Sequence, residues 1–173
     1  SLTISDVSSN GIRLKELNSN ALNVLTELYS VENKSIKIKN WDYLNQLISN
    51  YKNIKKDRIS KNLLRKIDLL INEINPDETI ELSFSHGDFT QWNMFEANNN
   101  IAIYDWELAS NNNPKGFDFF HFILQNDVLV NHKSWKNIYF NIQKQAQNTF
   151  FKTVFNSNIE ELNKYLKWYL LVN

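Results

Sequence analysis

Leucine and isoleucine recur at helical spacing through the first half of this chain. Leu14, Leu17, Ala21, Leu22, Leu25 and Leu28 fall on one face, with Asn18 to Asn20 as a candidate break. Trp41, Leu44, Leu47, Ile48 and Tyr51 predict a second helix with Asn40 as its N-cap. Leu63, Leu64, Ile67, Leu70, Ile71 and Ile74 form a stronger stripe that stops before Pro76. Later, Phe117 to Leu129, Trp135 to Phe151 and Ile159 to Leu171 read as helices. Between these halves the period changes. Glu81-Leu82-Ser83-Phe84-Ser85 alternates polar and apolar, which predicts a strand. Met94 to Ala97 and Ile101 to Tyr104 flank three asparagines and predict a hairpin. Asn111 to Gly116 reads as a loop, Ser1 to Gly11 as a polar linker, and Lys52 to Lys61 as a solvated helix end. No internal repeat is visible. The expected class is α+β, mostly α-helical, with a small β-hairpin beside the segment 86–93.

That segment carries the chemistry. His86-Gly87-Asp88-Phe89-Thr90-Gln91-Trp92-Asn93 has the H-x-D-x-x-x-x-N spacing of a kinase catalytic loop. Ile103-Tyr104-Asp105-Trp106-Glu107 follows, with an Asp after an apolar run, where a kinase keeps its metal-binding Asp. Phosphoryl transfer needs positioning and charge neutralisation more than covalent chemistry. Asp88 has the chemistry to accept the proton of an incoming hydroxyl. Asn93 and Asp105 offer the hard oxygen ligands that magnesium prefers. Gly87 lets the backbone turn sharply. The hairpin returns the chain so that Asp105 faces Asn93.

On these residues the chain resembles the aminoglycoside phosphotransferase and choline kinase superfamily. His86 to Asn93 is similar to its H-G-D-x-x-x-x-N loop, and Asp105-Trp106-Glu107 to its D-W-E or D-F-E segment. Phe117-Asp118-Phe119-Phe120-His121-Phe122 resembles the helix that follows. The resemblance spans about Leu82 to Phe122. The nearest pattern is that of a branch found with bacterial surface-polysaccharide genes, where a Pro stands in place of Gln91. It implies Asp88 as catalytic base, Asn93 and Asp105 as Mg2+ ligands, ATP or GTP as donor, and a small-molecule hydroxyl (sugar, aminoglycoside or choline-like) as acceptor. It implies that His86 holds the loop by hydrogen bonding.

Other family features are missing. A complete kinase of this type carries an upstream lobe with a phosphate-covering loop, a strand Lys and a helix Glu. Here Gly11, Gly87 and Gly116 are the only glycines, so no Gly-rich loop exists. The expectation is a protein-kinase-like C-terminal lobe over residues 14–173, with 1–13 as a linker or the end of a missing N-lobe. The start at Ser-Leu without Met fits a vector scar or an internal start. Little or no turnover is expected from this chain alone, and the face left open favours dimerisation.

Composition narrows the classes further. With 173 residues and 42% hydrophobic content, one ordinary domain is expected. Nineteen basic and nineteen acidic residues cancel, which gives no electrostatic case for nucleic acid or an anionic membrane. No apolar run approaches a membrane span, so no membrane insertion is expected. The absence of Cys excludes disulfides and thiolate zinc sites and fits a cytoplasmic location.

The supporting residues have two readings each. Asp118 reads first as a structural Asp that accepts hydrogen bonds from the loop backbone, and second as an acid or ligand. His121, one turn later, reads as a packed core His, and His132 as surface. Glu107 reads equally as structural or as a contact to a second magnesium or the acceptor. The aromatic residues read first as core and second as a cationic-ligand pocket. Three functions compete: a small-molecule kinase, a non-catalytic ligand- or partner-binding lobe, and a metal-dependent hydrolase using His86, Asp88, Asp105 and His121.

Overall fold

Two antiparallel three-stranded sheets are joined by the segment 86–93. One sheet has the order β1 (Ile12–Arg13), β4 (Met94–Ala97), β5 (Asn100–Ile103). The other has β2 (Asn33–Lys37), β3 (Thr79–Ser85), β6 (Ser110–Pro114), so β3 lies between two partners. Seven helices complete the described chain: α1 (Ser19–Val31), α2 (Asp42–Asn53), α3 (Lys61–Asn72), α4 (Phe117–Gln125), α5 (Trp135–Lys144), α6 (Thr149–Phe155) and α7 (Ile159–Val172). This computed structural model describes residues 11–55, 57–98, 100–145 and 148–173. The class is therefore α+β with two small antiparallel sheets. Among the described residues no helix is long and apolar enough to cross a membrane.

Several expected elements shift, each for a local reason. Asn18 does not interrupt the first helix; it caps it, its side chain accepting the Ala21 N–H at 3.0 Å. Leu14 and Leu17 are buried but belong to the incoming segment. The linker expected over 1–13 falls largely on residues 1–10, outside the described ones. Its last two residues, Ile12 and Arg13, pair with Glu96 and Phe95. Asn40 is not a cap: it ends a short turn, Ile38–Asn40, and Trp41 occupies the cap position with no side-chain cap bond. Burial of Trp41, whose Nε1 donates to the Asn112 carbonyl at 3.0 Å, fixes that helix start instead.

The asparagines at 111–113 form a strand rather than a loop. Leu82 pairs with Pro114 and Ser83 with Asn113. An edge strand needs only backbone partners, and Pro114 sits where no N–H is required. Asn33–Lys37 is a strand on the opposite edge for the same reason, and its polar side chains gave no period to read. The helix expected over 135–151 is two, because Asn148 starts α6 by accepting the Phe151 N–H at 2.8 Å. The helix expected over 117–129 ends at Gln125 and continues as a π turn, Asn126–Val130.

The core forms around α4. Every residue from Phe117 to Ile123 is buried, including Asp118 and His121. A helix apolar on all sides must be enclosed by its neighbours. Phe117 packs on Tyr169 of α7 with ring centroids 5.0 Å apart, and Phe119 stacks on Phe150 of α6 at 5.1 Å. Most of the large aromatics are thus core. By contrast, the stripe on α3 has no fully buried residue and borders an open groove of about 380 Å³ against α7.

Candidate active site

The chain leaves β3 at Ser85 and turns at once. Gly87 has φ +87°, and a Cβ there would lie 2.3 Å from the Leu108 carbonyl oxygen. Only glycine accepts both the left-handed backbone and this approach. The loop is therefore pressed against the turn Trp106–Leu108, which follows Asp105.

Asp118 anchors the loop from below. Its Oδ2 accepts the His86 N–H at 2.7 Å and its Oδ1 the Gly87 N–H at 3.0 Å. Burial pushes its pKa up to about 7, against the pull of those two N–H donors and with a smaller push from the Asp88 charge. It touches no solvent-facing group of the loop, so its position is that of a support. His86 anchors the loop sideways. Its Nδ1 accepts the Asp88 N–H at 3.2 Å, which assigns the ring proton to Nε2, and Nε2 donates to the Tyr104 carbonyl at 2.7 Å. The Trp106 ring covers it edge-on at 4.6 Å.

Asp88 is held at both carboxylate oxygens. Asn93 Nδ2 donates to Oδ2 at 2.7 Å and to the Asp88 carbonyl at 3.1 Å. His121 Nε2 donates to Oδ1 at 3.0 Å. With its Nδ2 committed, Asn93 has its Oδ1 left for another partner, and no described residue takes it. The Tyr104 N–H donates to the Asn93 carbonyl at 2.9 Å, so the hairpin pairing runs on to the residue before Asp105. Asp105 itself is exposed, with φ 62° and ψ 64°. That left-handed conformation is uncommon outside glycine, is tolerated by Asp, and recurs at functional sites. Asn93 and Asp105 are both oxygen donors with no described partner, the donor type that Mg2+ takes. They fit such an ion. Glu107 lies exposed in the turn 106–108 and engages no described residue.

His121 and Tyr169 are the parts that the pattern along the chain did not assign to the site. His121 shares the Asp118 face of α4, three residues on, and spacing alone was compatible with that placement. Tyr169 gave no signal. His121 Nδ1 lies 3.1 Å from the Tyr169 hydroxyl. Burial lowers the His121 pKa, while the bond to Asp88 works the other way. A neutral ring satisfies every contact: Tyr169 O–H donates to Nδ1, and Nε2–H donates to Asp88. Among the described residues no three His, Cys, Asp or Glu side chains gather to hold a metal ion. The hydrolase reading has no free imidazole nitrogen either, since both rings have both nitrogens engaged.

Compared with protein-family models, with curated proteins and with solved structures, the chain gives no match.

Proposed function

We propose that this chain is the catalytic-loop half of a small-molecule phosphotransferase, a protein-kinase-like C-terminal lobe acting with Mg2+ and ATP or GTP. The observation that carries the reading is the pairing of Asn93 Nδ2 with Asp88 Oδ2 at 2.7 Å, which leaves the Asn93 carbonyl oxygen beside the Asp105 turn. One loop then presents a base and a ligand in fixed relation. Asp88 accepts the proton of the acceptor hydroxyl as that oxygen bonds to the γ-phosphorus and the bond to the nucleoside diphosphate breaks. Asn93 and Asp105 hold the magnesium, which neutralises phosphate charge when bound. His121 and Asn93 fix the Asp88 carboxylate between them, and Asp118 and His86 fix the loop backbone. The acceptor is a small hydroxyl compound, of the sugar, aminoglycoside or choline type, and surface-polysaccharide metabolism is one setting that uses such phosphorylation. The location proposed is cytoplasmic, where ATP is available.

Exposure favours a second reading. Asp105 lies open to solvent in a rim of exposed apolar residues, Trp92, Tyr104, Trp106 and Leu108. A lobe so open binds a ligand or partner without turning it over. The test is paramagnetic broadening by Mn2+ and ATP on the 15N-labelled chain. The kinase reading expects the amides of Asn93 and Asp105 to broaden first, with the effect lost in Asp105→Asn. Broadening centred elsewhere, or none at all, would reject it in favour of the binding lobe.

A further inference from the structure

The end of α4 carries a second cavity that the candidate active site does not use. It has a volume of about 300 Å³, at the lower end of ligand pockets, and lies between α4, α5 and the segment 15–17. None of residues 86–93 lines it. Phe122 on its wall packs against Phe89, 6.2 Å between ring centroids, so an aromatic pair lies between it and the loop of Asp88.

Its polar groups are unequal. Asp127 is buried but fully engaged: Lys133 Nζ lies 2.7 Å away, Asn131 Nδ2 3.1 Å and Asn141 Nδ2 3.0 Å. That carboxylate is a finished wall, with little attraction left for a cation. Asn126 is only 4% exposed, and its Nδ2 reaches the Lys15 carbonyl at 3.5 Å. Its Oδ1 has no partner among the described residues. A buried acceptor without a donor costs free energy until something donates to it. At the mouth, Lys15 and Lys144 make no ion pair with a described residue, against one carboxylate, Glu16, on the same lining. Leu17, Phe122 and Ile123 supply an apolar side. The backbone here is the π turn Asn126–Val130, a rare conformation that is frequent at functional sites.

We propose that this cavity binds a small hydroxylated phosphate of the sugar-monophosphate class. A hydroxyl donates to Asn126 Oδ1, the carbon skeleton lies on Phe122 and Ile123, and the phosphate meets Lys15 and Lys144. A cation is repelled by the two lysines. A bare anion leaves Asn126 Oδ1 unpaired. The site stands whether or not the chain transfers phosphate.

The test is a titration of the 15N-labelled chain with glucose 6-phosphate, beside glucose and inorganic phosphate. Saturable amide shifts confined to residues 15–17, 122–133 and 141–145 are expected, with glucose and inorganic phosphate each binding at least about tenfold more weakly. Lys15→Met with Lys144→Met, both at exposed positions, is expected to weaken glucose 6-phosphate by about tenfold per lysine, the weight of one charge-assisted hydrogen bond. Absence of saturable shifts, shifts centred elsewhere, or equal binding of inorganic phosphate would overturn the proposal. So would a crystal grown with glucose 6-phosphate in which an ordered water keeps Asn126 Oδ1.

Discussion

His121 Nε2 stands 3.0 Å from Asp88 Oδ1, across 33 residues of sequence. The contact joins the central helix to the loop expected to carry the chemistry. Because Asn93 holds the other oxygen, Asp88 has one orientation and two donors that favour its charged form. His121 is in turn oriented by Tyr169 on α7.

His121 is expected to remain the neutral Nε2–H tautomer at pH 6.5 in the folded chain, since burial lowers its pKa below the ordinary 6.5. The bond to Asp88 opposes that shift, so Asp88→Asn should lower the titration midpoint further. Long-range 1H–15N NMR through a pH series reads both. A midpoint above 6.5, or one that rises in Asp88→Asn, would contradict the arrangement.

Asp118 gives a stability effect with a definite sign. Its folded pKa, about 7, lies above its ordinary 3.8. Between those values the folded chain binds more protons than the unfolded chain, so this group's contribution falls as pH rises from about 4 to about 7 and is level above. His121, with a lowered pKa, slopes the opposite way below 6.5. Urea unfolding of the wild type against Asp118→Asn, at pH 4.5 and pH 7.5, isolates the Asp118 share. The wild type should lose ground relative to the variant at the higher pH.

Gly87→Ala should cost roughly 2–4 kcal/mol, because it adds a left-handed side chain and a clash with backbone at Leu108. The denaturant midpoint should fall. The His86–Tyr104 contact, followed through the His86 ring resonances, should loosen. An unchanged midpoint would show that the loop does not press on residue 108.

In the complete enzyme, Asp88→Ala should reduce phosphotransfer by at least about a thousandfold with the fold intact, as for loss of a general base together with its positioning. Asp105→Ala should remove turnover and magnesium binding together. Activity surviving either change, measured as phosphate transferred from labelled ATP, would remove that residue from the mechanism.

Legibility along the chain followed local pattern. The stripe at Leu63–Ile74, the alternation at Glu81–Ser85 and the hairpin around Asn98 were readable because each residue's environment repeats at a fixed period. The asparagine-rich strand Ser110–Pro114 was not, because its pairing uses backbone groups that every residue has. Trp41 as a helix start was not, because its anchor is a carbonyl 71 residues away. Lys115 shows the same limit. It reads as a loop lysine, yet it is buried between Glu81 and Glu161 and under the Tyr165 ring.

The chemistry divides in the same way. Spacing within one short segment brought Asp88 and Asn93 together, since a tight turn leaves eight residues little freedom. A hairpin pattern brought Asp105 to the same end of the sheet. Those relations are local, and the order of residues determines them. The charge state of His121, the grip of Asp118 on two backbone N–H groups, the reach of Tyr169 and the unpartnered oxygen of Asn126 come from packing. They depend on which helices α4 meets. Their energies come from burial, which is a property of the assembled core and has no period along the chain.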